Sequence, residues 1–208
     1  VADRLTIALP KGRLAQDTFR LLQAAGYDIK PADNDRKLVV DDPDNPFRYL
    51  LVKPVDVITY VEEGVADLGV VGKDNILEEQ KDIYAMLDLG IGRCKMVLAG
   101  PKGKPLPSGN RITVATKYPN ITRDALASRY PLLHIVPLSG SVELGPLVGL
   151  ADVIVDIYET GSTLRANGLS VYEELVDLSA HLIANKASYR RNNAAILQLR
   201  QRLDQRGE

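Results

Sequence analysis

Short apolar runs rich in Val, Ile and Leu recur along this chain, and between them lie stretches in which apolar residues return every third or fourth position. Runs of the first kind, closed by Gly, Pro or Asp, predict strands; stretches of the second kind predict helices. Leu5 to Leu9 (LTIAL) is the first strand, and Pro10-Lys11-Gly12-Arg13 is the turn after it. A helix follows from Leu14 through Phe19, Leu21, Leu22 and Ala25, with Gly26 placed as a C-cap glycine. Two further strands, Lys37 to Asp41 and Phe47 to Lys53, flank the turn-forming DDPDNP of Asp41 to Pro46. Asp56 to Glu63 predicts a short helix closed by Gly64, Ala66 to Gly72 a glycine-containing strand, and Asp74 the start of another helix. Ile83 to Leu89 and Lys95 to Ala99 complete this series as strands.

After the exposed, Pro- and Gly-rich stretch Gly100 to Asn110 the pattern resumes. Arg111 to Thr116 predicts a strand, Asn120 to Tyr130 a helix, Leu133 to Leu138 a strand and Leu144 to Leu150 an apolar helix. Val153-Ile154-Val155 is a buried strand ending on Asp156, and Glu159-Thr160-Gly161-Ser162-Thr163 is a small-residue turn leading to a helix that opens at Thr163 or Leu164. Near the end Ile196, Leu199 and Leu203 form one helical stripe on a segment that also carries Arg190, Arg191, Arg200, Arg202 and Arg206, read as a solvated face. This order predicts an α/β protein of two lobes with a cleft between them.

Length and composition narrow the function classes. The 208 residues suffice for one sizeable core or two smaller ones. A formal net charge of −1 supplies no global attraction for nucleic acid or for a membrane surface. No apolar run approaches the roughly 18 residues that predict a transmembrane helix, and no basic, then apolar leader opens the chain, so a cytoplasmic location is expected. With a single cysteine, Cys94, and two histidines, His134 and His181, there is no intramolecular disulfide and no zinc spacing, so a metal would be held by oxygen, as Mg²⁺ usually is. Cys94 reads as a strand-end residue and the histidines as packing or surface residues.

The chemistry-bearing residues fall in loops after strands: Lys11 and Arg13, Lys53, Lys95, Lys117, Glu143, Asp156 and the hydroxyls from Thr160 to Thr163. Ligands of open α/β sheets sit at the carboxyl ends of strands, where these side chains could converge. Strand, acid, hydroxyl-rich turn and helix start is a common phosphate-holding arrangement, although locally the same residues also suit a plain capped connection. Gly90-Ile91-Gly92-Arg93-Cys94 begins like a dinucleotide fingerprint, but Lys95 replaces the third glycine and a strand follows, so a Rossmann site is rejected; no P-loop motif occurs. Several cations, two acids and a hydroxyl turn suit a polyphosphate held with Mg²⁺.

Five blocks carry a closer likeness: LPKGRL (Leu9 to Leu14), VEEGVADLGVVGKDNILEE (Val61 to Glu79), VATKYPNITR (Val114 to Arg123), GSVELGPLVGLADVIVD (Gly140 to Asp156) and TGSTLRANGL (Thr160 to Leu169). In this order, and over nearly the whole chain, they resemble the ATP phosphoribosyltransferases, which open histidine biosynthesis. The resemblance implies two α/β lobes like those of type II periplasmic binding proteins. It places residues 1–90 with 176–208 in the first lobe and residues 91–175, with the phosphoribosyl-binding turn, in the second. Because the chain stops soon after Arg206, the short form without a C-terminal regulatory domain is implied. Such a form is expected as a homodimer that joins a histidyl-tRNA synthetase-like regulatory subunit in a hetero-oligomer.

The reaction implied joins N1 of ATP to C1 of phosphoribosyl pyrophosphate, with inversion and loss of pyrophosphate. Adenine N1 already has its lone pair, so the missing nucleophile signature is expected, and catalysis falls to positioning and charge stabilisation. By this resemblance Glu159, Thr160, Gly161, Ser162, Thr163 and Leu164 cradle the 5-phosphate, while Glu143 and Asp156 bind ribose hydroxyls or Mg²⁺. Lys11, Arg13, Lys53 and Lys95 meet the substrate phosphates, Lys53 standing where the family often has an arginine able to make a planar bidentate contact. A solute-binding module of the same fold is the rival reading; an acid beside a hydroxyl turn is more than a simple anion receptor requires.

Overall fold

The computed structural model describes residues 4–27, 37–42 and 44–205. Pro43 of the predicted 41–46 turn and Arg206 of the basic terminal face lie outside the described residues. The first half of the chain runs β1 (Leu5–Pro10), α1 (Arg13–Ala24), β2 (Val39–Asp41), β3 (Phe47–Val52), α2 (Val57–Glu62), β4 (Leu68–Gly72), α3 (Lys73–Glu79) and β5 (Tyr84–Asp88). A 3-10 turn, Pro54–Asp56, leads from β3 into α2. The second half runs β6 (Cys94–Pro101), β7 (Arg111–Thr116), α4 (Pro119–Leu126), β8 (Leu132–Pro137), α5 (Leu144–Leu147), β9 (Val153–Tyr158), α6 (Ser162–Ala166), β10 (Leu169–Leu178), β11 (Ala180–Ala184), α7 (Lys186–Arg191) and α8 (Asn193–Asp204).

The chain divides into two compact units, one made of residues 1–92 with 179–208 and the other of residues 93–178. In the first, six strands lie in the order β2-β3-β1-β4-β11-β5. β1 is parallel to β3 and β4, with Leu5 opposite Phe47 and Ile7 opposite Leu68, and β11 is antiparallel to both β4 and β5. The alternation along β1 sends Ile7 and Leu9 into one core with Phe19 and Leu22 of α1 and Ile196 and Leu199 of α8. Ala8 faces the other way, against Val57, Ile58 and Val61 of α2. Gly69 makes that second layer possible, because a Cβ there would stand 2.8 Å from Val61 Cγ2 and 2.9 Å from Val57 Cγ1. The strand glycine therefore marks a close helix rather than a ligand. Each such large apolar side chain contributes about 1.5–3 kcal/mol on burial.

The second unit has the order β10-β6-β9-β7-β8. β7 is parallel to β8 and β9, while β6 is antiparallel to both β9 and β10. Val97, Ala99, Ala115, Ile154 and Tyr158 share one face, which Val142, before α5, and Leu164 of α6 cover.

Several elements differ from expectation for local reasons. β9 continues through Ile157 and Tyr158, so Asp156 lies inside the strand, opposite Val97, instead of at its end. The helix expected to reach Tyr130 stops at Leu126, and Tyr130 precedes Pro131, whose ring disfavours helical backbone at the residue before it. The helix expected over Leu144 to Leu150 is the single turn of α5, which holds Pro146 and is soon followed by Gly149 at φ 77°. Tyr172 to Leu178, which no clean apolar alternation marks as a strand, belongs to the ten-residue strand β10. The stripe of Ile196, Leu199 and Leu203 is helical as expected: Ile196 and Leu199 are buried and Leu203 packs against them.

Candidate active site

In the first unit the carboxyl ends of parallel β1, β3 and β4 carry the expected cations. The Lys11 N–H donates to the Val52 carbonyl at 2.9 Å, which ties the turn after β1 to the end of β3. Gly12 holds φ 95° with nothing near its missing Cβ, so glycine is needed there for its backbone conformation alone. Arg13 is the first residue of α1, whose first turn contains no acid. Two exposed cations at the positive end of a twelve-residue helix repel its dipole, and an anion bound there would relieve the repulsion. Lys11 and Arg13 line one pocket of about 230 Å³, together with Asp17, Asp74 and Asn75. The three polar neighbours were not foreseen from sequence; Asp74 follows a strand-ending Gly72-Lys73 pair, which is the signal that could have found it. Lys53 is exposed immediately after β3 and does not line this pocket, although its neighbour Pro54 does.

In the second unit the carboxyl ends of β7, β8 and β9 bring together Lys117, Glu143 and Asp156. Burial pushes the Asp156 carboxyl above its ordinary value; a hydrogen bond from the Ile157 N–H opposes this, the Glu143 carboxylate adds to it and the Lys117 ammonium opposes it. Glu143 and Lys117 are thus each within electrostatic reach of Asp156. Glu143 is placed by packing on both sides: Val142 is buried, and Gly145 lies so close to β7 that a Cβ would be 2.9 Å from the Ala115 Cβ. Lys117 follows Thr116, whose hydroxyl donates to the Val155 carbonyl at 2.7 Å and accepts the Tyr118 N–H at 2.9 Å. That bond joins the ends of β7 and β9.

The hydroxyl turn follows β9 directly. Gly161 adopts φ 69°, and the Thr160 and Ser162 hydroxyls lie 3.1 Å apart. A Cβ on Gly161 would meet the Tyr158 ring at 2.4 Å, so the turn is seated on that aromatic edge. Thr163 and Leu164 lie in the first turn of α6, where N–H groups lack intrahelical acceptors. Leu164 is buried in the core, so only its backbone is free to face a ligand, while Glu159 and Thr160 are exposed.

Lys95 is in β6, directly opposite Tyr158, which puts it on the sheet face that also carries Asp156. Its ammonium pairs with Glu174 and lies 3.9 Å from Asp177, both on β10. The Glu174 hydrogen bond holds the Lys95 pKa above its usual range. Cys94 opens β6, half-buried, and His134 and His181 lie on β8 and β11.

Oxygen donors for a metal are sparse. Among the described residues no group of three His, Cys, Asp or Glu side chains could enclose an ion. The pair Glu143 and Asp156 fits Mg²⁺ in its usual protein mode, one or two carboxylates with waters and substrate oxygens completing the shell. Among the described residues no helix is long and apolar enough to cross a membrane.

Comparison with known proteins identifies the family and the fold. Residues 53–205 match the family model HisG, ATP phosphoribosyltransferase. A relative from Sorangium cellulosum, an ATP phosphoribosyltransferase, is 53% identical over 200 residues, covering 96% of this chain and 94% of that protein. A relative of the same name from Oceanobacillus iheyensis is 50% identical, covering 96% of both chains. Among solved structures, the ATP phosphoribosyl transferase (HisG:HisZ) complex from Thermotoga maritima matches with TM-score 0.78 and 35% identity, over 97% of this chain and 96% of that one. The periplasmic aliphatic sulphonate binding protein SsuA from Escherichia coli matches at 13% identity with TM-score 0.62, which is a likeness of fold alone. The chain belongs to the ATP phosphoribosyltransferase family.

Proposed function

We propose that this chain joins N1 of ATP to C1 of phosphoribosyl pyrophosphate, releasing pyrophosphate, as the first step of histidine biosynthesis. The observation that carries the reading at residue level is the grouping of Lys117, Glu143 and Asp156 beside the Glu159 to Leu164 turn. The turn offers the 5-phosphate the Thr160, Ser162 and Thr163 hydroxyls and the backbone N–H groups around Gly161. Asp156 and Glu143 orient the ribose hydroxyls, which fixes C1 for attack from the face opposite the pyrophosphate. In the step itself the adenine N1 lone pair forms the new bond to C1, the C1–O bond breaks, and its electron pair leaves with pyrophosphate. Adenine then sheds a proton from its exocyclic nitrogen.

The residues that hold Mg²⁺ in this proposal are Glu143 and Asp156, and the ion supplies charge neutralisation for the pyrophosphate oxygens. Lys11 and Arg13, gathered on one pocket in the first unit, bind substrate phosphates, and Lys53 lies beside them. Lys95 takes the same role only by leaving Glu174 and Asp177, so those acids set how readily it is released. The second unit, residues 93–178, is accordingly the phosphoribosyl-binding part.

The Thermotoga neighbour is a HisG:HisZ complex, which supports a hetero-oligomer with a regulatory subunit here. In this proposal that subunit is histidyl-tRNA synthetase-like, and the chain enters the assembly as a homodimer in the cytoplasm. The purified chain with Mg²⁺, ATP and phosphoribosyl pyrophosphate is expected to form phosphoribosyl-ATP, read as a new ultraviolet absorbance. Asp156→Ala, or Gly161→Val, which drives a branched side chain into Tyr158 at a positive φ, is expected to abolish turnover while the fold persists. Absence of product at every enzyme concentration, with and without the regulatory partner, would sink the enzyme reading, and near-normal rates in both variants would sink the site.

A further inference from the structure

A pocket in the 93–178 unit shares Gly161 and Leu164 with the hydroxyl turn, but its other lining residues have no part in the reaction above. It encloses about 360 Å³, within the range of small-molecule sites. Its floor is apolar, from Leu164, Leu169 and Val171, and its polar wall comprises Lys102, Arg165, Ser170 and half-buried Tyr158. The lining contains two cations and no carboxylate. Among the described residues neither Lys102 nor Arg165 has an ion-pair partner, whereas Lys95, Arg129 and Lys186 each do. Two unpaired cations converging over an apolar floor complement an anion that carries a flat apolar body.

The pocket also has a mechanical connection to the turn. Gly161 and Tyr158 line it, and the ring lies against the position a Gly161 Cβ would occupy. Whatever presses on Tyr158 therefore bears on the left-handed residue that shapes the turn.

We propose that Lys102, Arg165 and Tyr158 form a second ligand site, for an organic phosphate with an aromatic body, whose occupation alters the hydroxyl turn through the Tyr158–Gly161 contact. The coupling rests on the turn's proposed role as phosphate cradle; binding at the pocket does not. Phenyl phosphate serves as the probe, titrated by calorimetry into the full chain. Saturable binding is expected in the wild type and in Lys102→Arg/Arg165→Lys, weakened about tenfold or more in Lys102→Ala/Arg165→Ala, since one lost charge-assisted hydrogen bond is worth that much. Should the alanine pair melt early, Lys102→Glu at its exposed position gives the same reading. No binding in the wild type at millimolar concentration, or equal binding in all variants, overturns the site.

In turnover assays phenyl phosphate should change the KM for phosphoribosyl pyrophosphate about fivefold, the low end of ordinary coupling, in the wild type but not in the alanine pair. An unchanged KM with the pocket occupied overturns the coupling. A chain that binds phenyl phosphate yet makes no phosphoribosyl-ATP would instead overturn the proposed reaction and leave the pocket standing.

Discussion

Asp156 shows at the scale of one residue how function and stability pull apart. Inside β9 rather than at its tip, it is half-buried, and that burial raises its carboxyl pKa with the Glu143 charge adding to the effect. The native state therefore holds this proton more tightly than the unfolded chain does. Stability falls as pH rises from the ordinary carboxyl value through the raised one, and the penalty is complete above it. Asp156→Asn removes the charge but keeps the shape, so it is expected to raise the melting temperature at neutral pH. At about pH 3, where the carboxyl is protonated in both states, the difference should vanish. The same variant is expected to lose turnover, because a neutral amide holds neither the metal nor the ribose hydroxyls as a carboxylate does. A melting temperature unchanged or lowered at neutral pH would show that Asp156 is not strained by its burial.

At the scale of elements, the returning C-terminal segment is fastened to the first unit by Asn185. Its Oδ1 accepts the Ser188 N–H at 2.9 Å and caps α7, while its Nδ2 donates to the Val61 and Glu62 carbonyls at 2.9 and 3.1 Å, at the end of α2. One buried side chain thus serves two helix termini 123 residues apart in sequence. Asn185→Ala takes this partner from the Ser188 N–H and the Glu62 carbonyl, while the Val61 carbonyl keeps only the Gly64 N–H at 3.1 Å, and the lost cap and buried hydrogen bonds cost about 2–3 kcal/mol. Chemical denaturation checks this; a loss below about 0.5 kcal/mol would mean water replaces the amide fully.

This kind of tie is invisible in sequence, since a lone Asn after AHLIA signals only a possible cap. Local pattern did reveal β1, α1 and β7, each with a clear period and a Gly or Pro soon after its end, and the stripe of α8 by its period alone. It failed for β10, whose Glu173, Glu174 and Asp177 break the apolar alternation and whose pairing with β6 shifts register at two places. It also hid the true setting of Lys95, which is fixed by acids on that unforeseen strand. The hydroxyl turn was legible because Thr, Gly and Ser act locally, whereas Asp74 and Asn75 reach their pocket only through the parallel register of β1 and β4.

The whole molecule is asymmetric in how its chain is spent. Residues 93–178 form one uninterrupted segment whose strands all pair among themselves, from β8 at one edge to β10 at the other. The other unit is closed by residues from both ends of the chain. There β11 lies between β4 and β5, so without residues 179–208 β5 has no strand to pair with, and the core loses Leu182, Ile196 and Leu199. Removing three large buried side chains costs several kcal/mol by itself, comparable to the whole stability of an ordinary domain. A fragment of residues 93–178 is therefore expected to fold alone with a cooperative thermal transition, whereas residues 1–92 alone are not. Adding residues 179–208 as a separate chain to the fragment of residues 1–92 should restore a cooperative melt and bind in a concentration-dependent way, since β11 and α8 supply the missing layer. Circular dichroism melts of the fragments check all three statements. A cooperative melt for residues 1–92 alone would show β11 to be dispensable, and its absence for residues 93–178 would show that this unit depends on the rest of the chain.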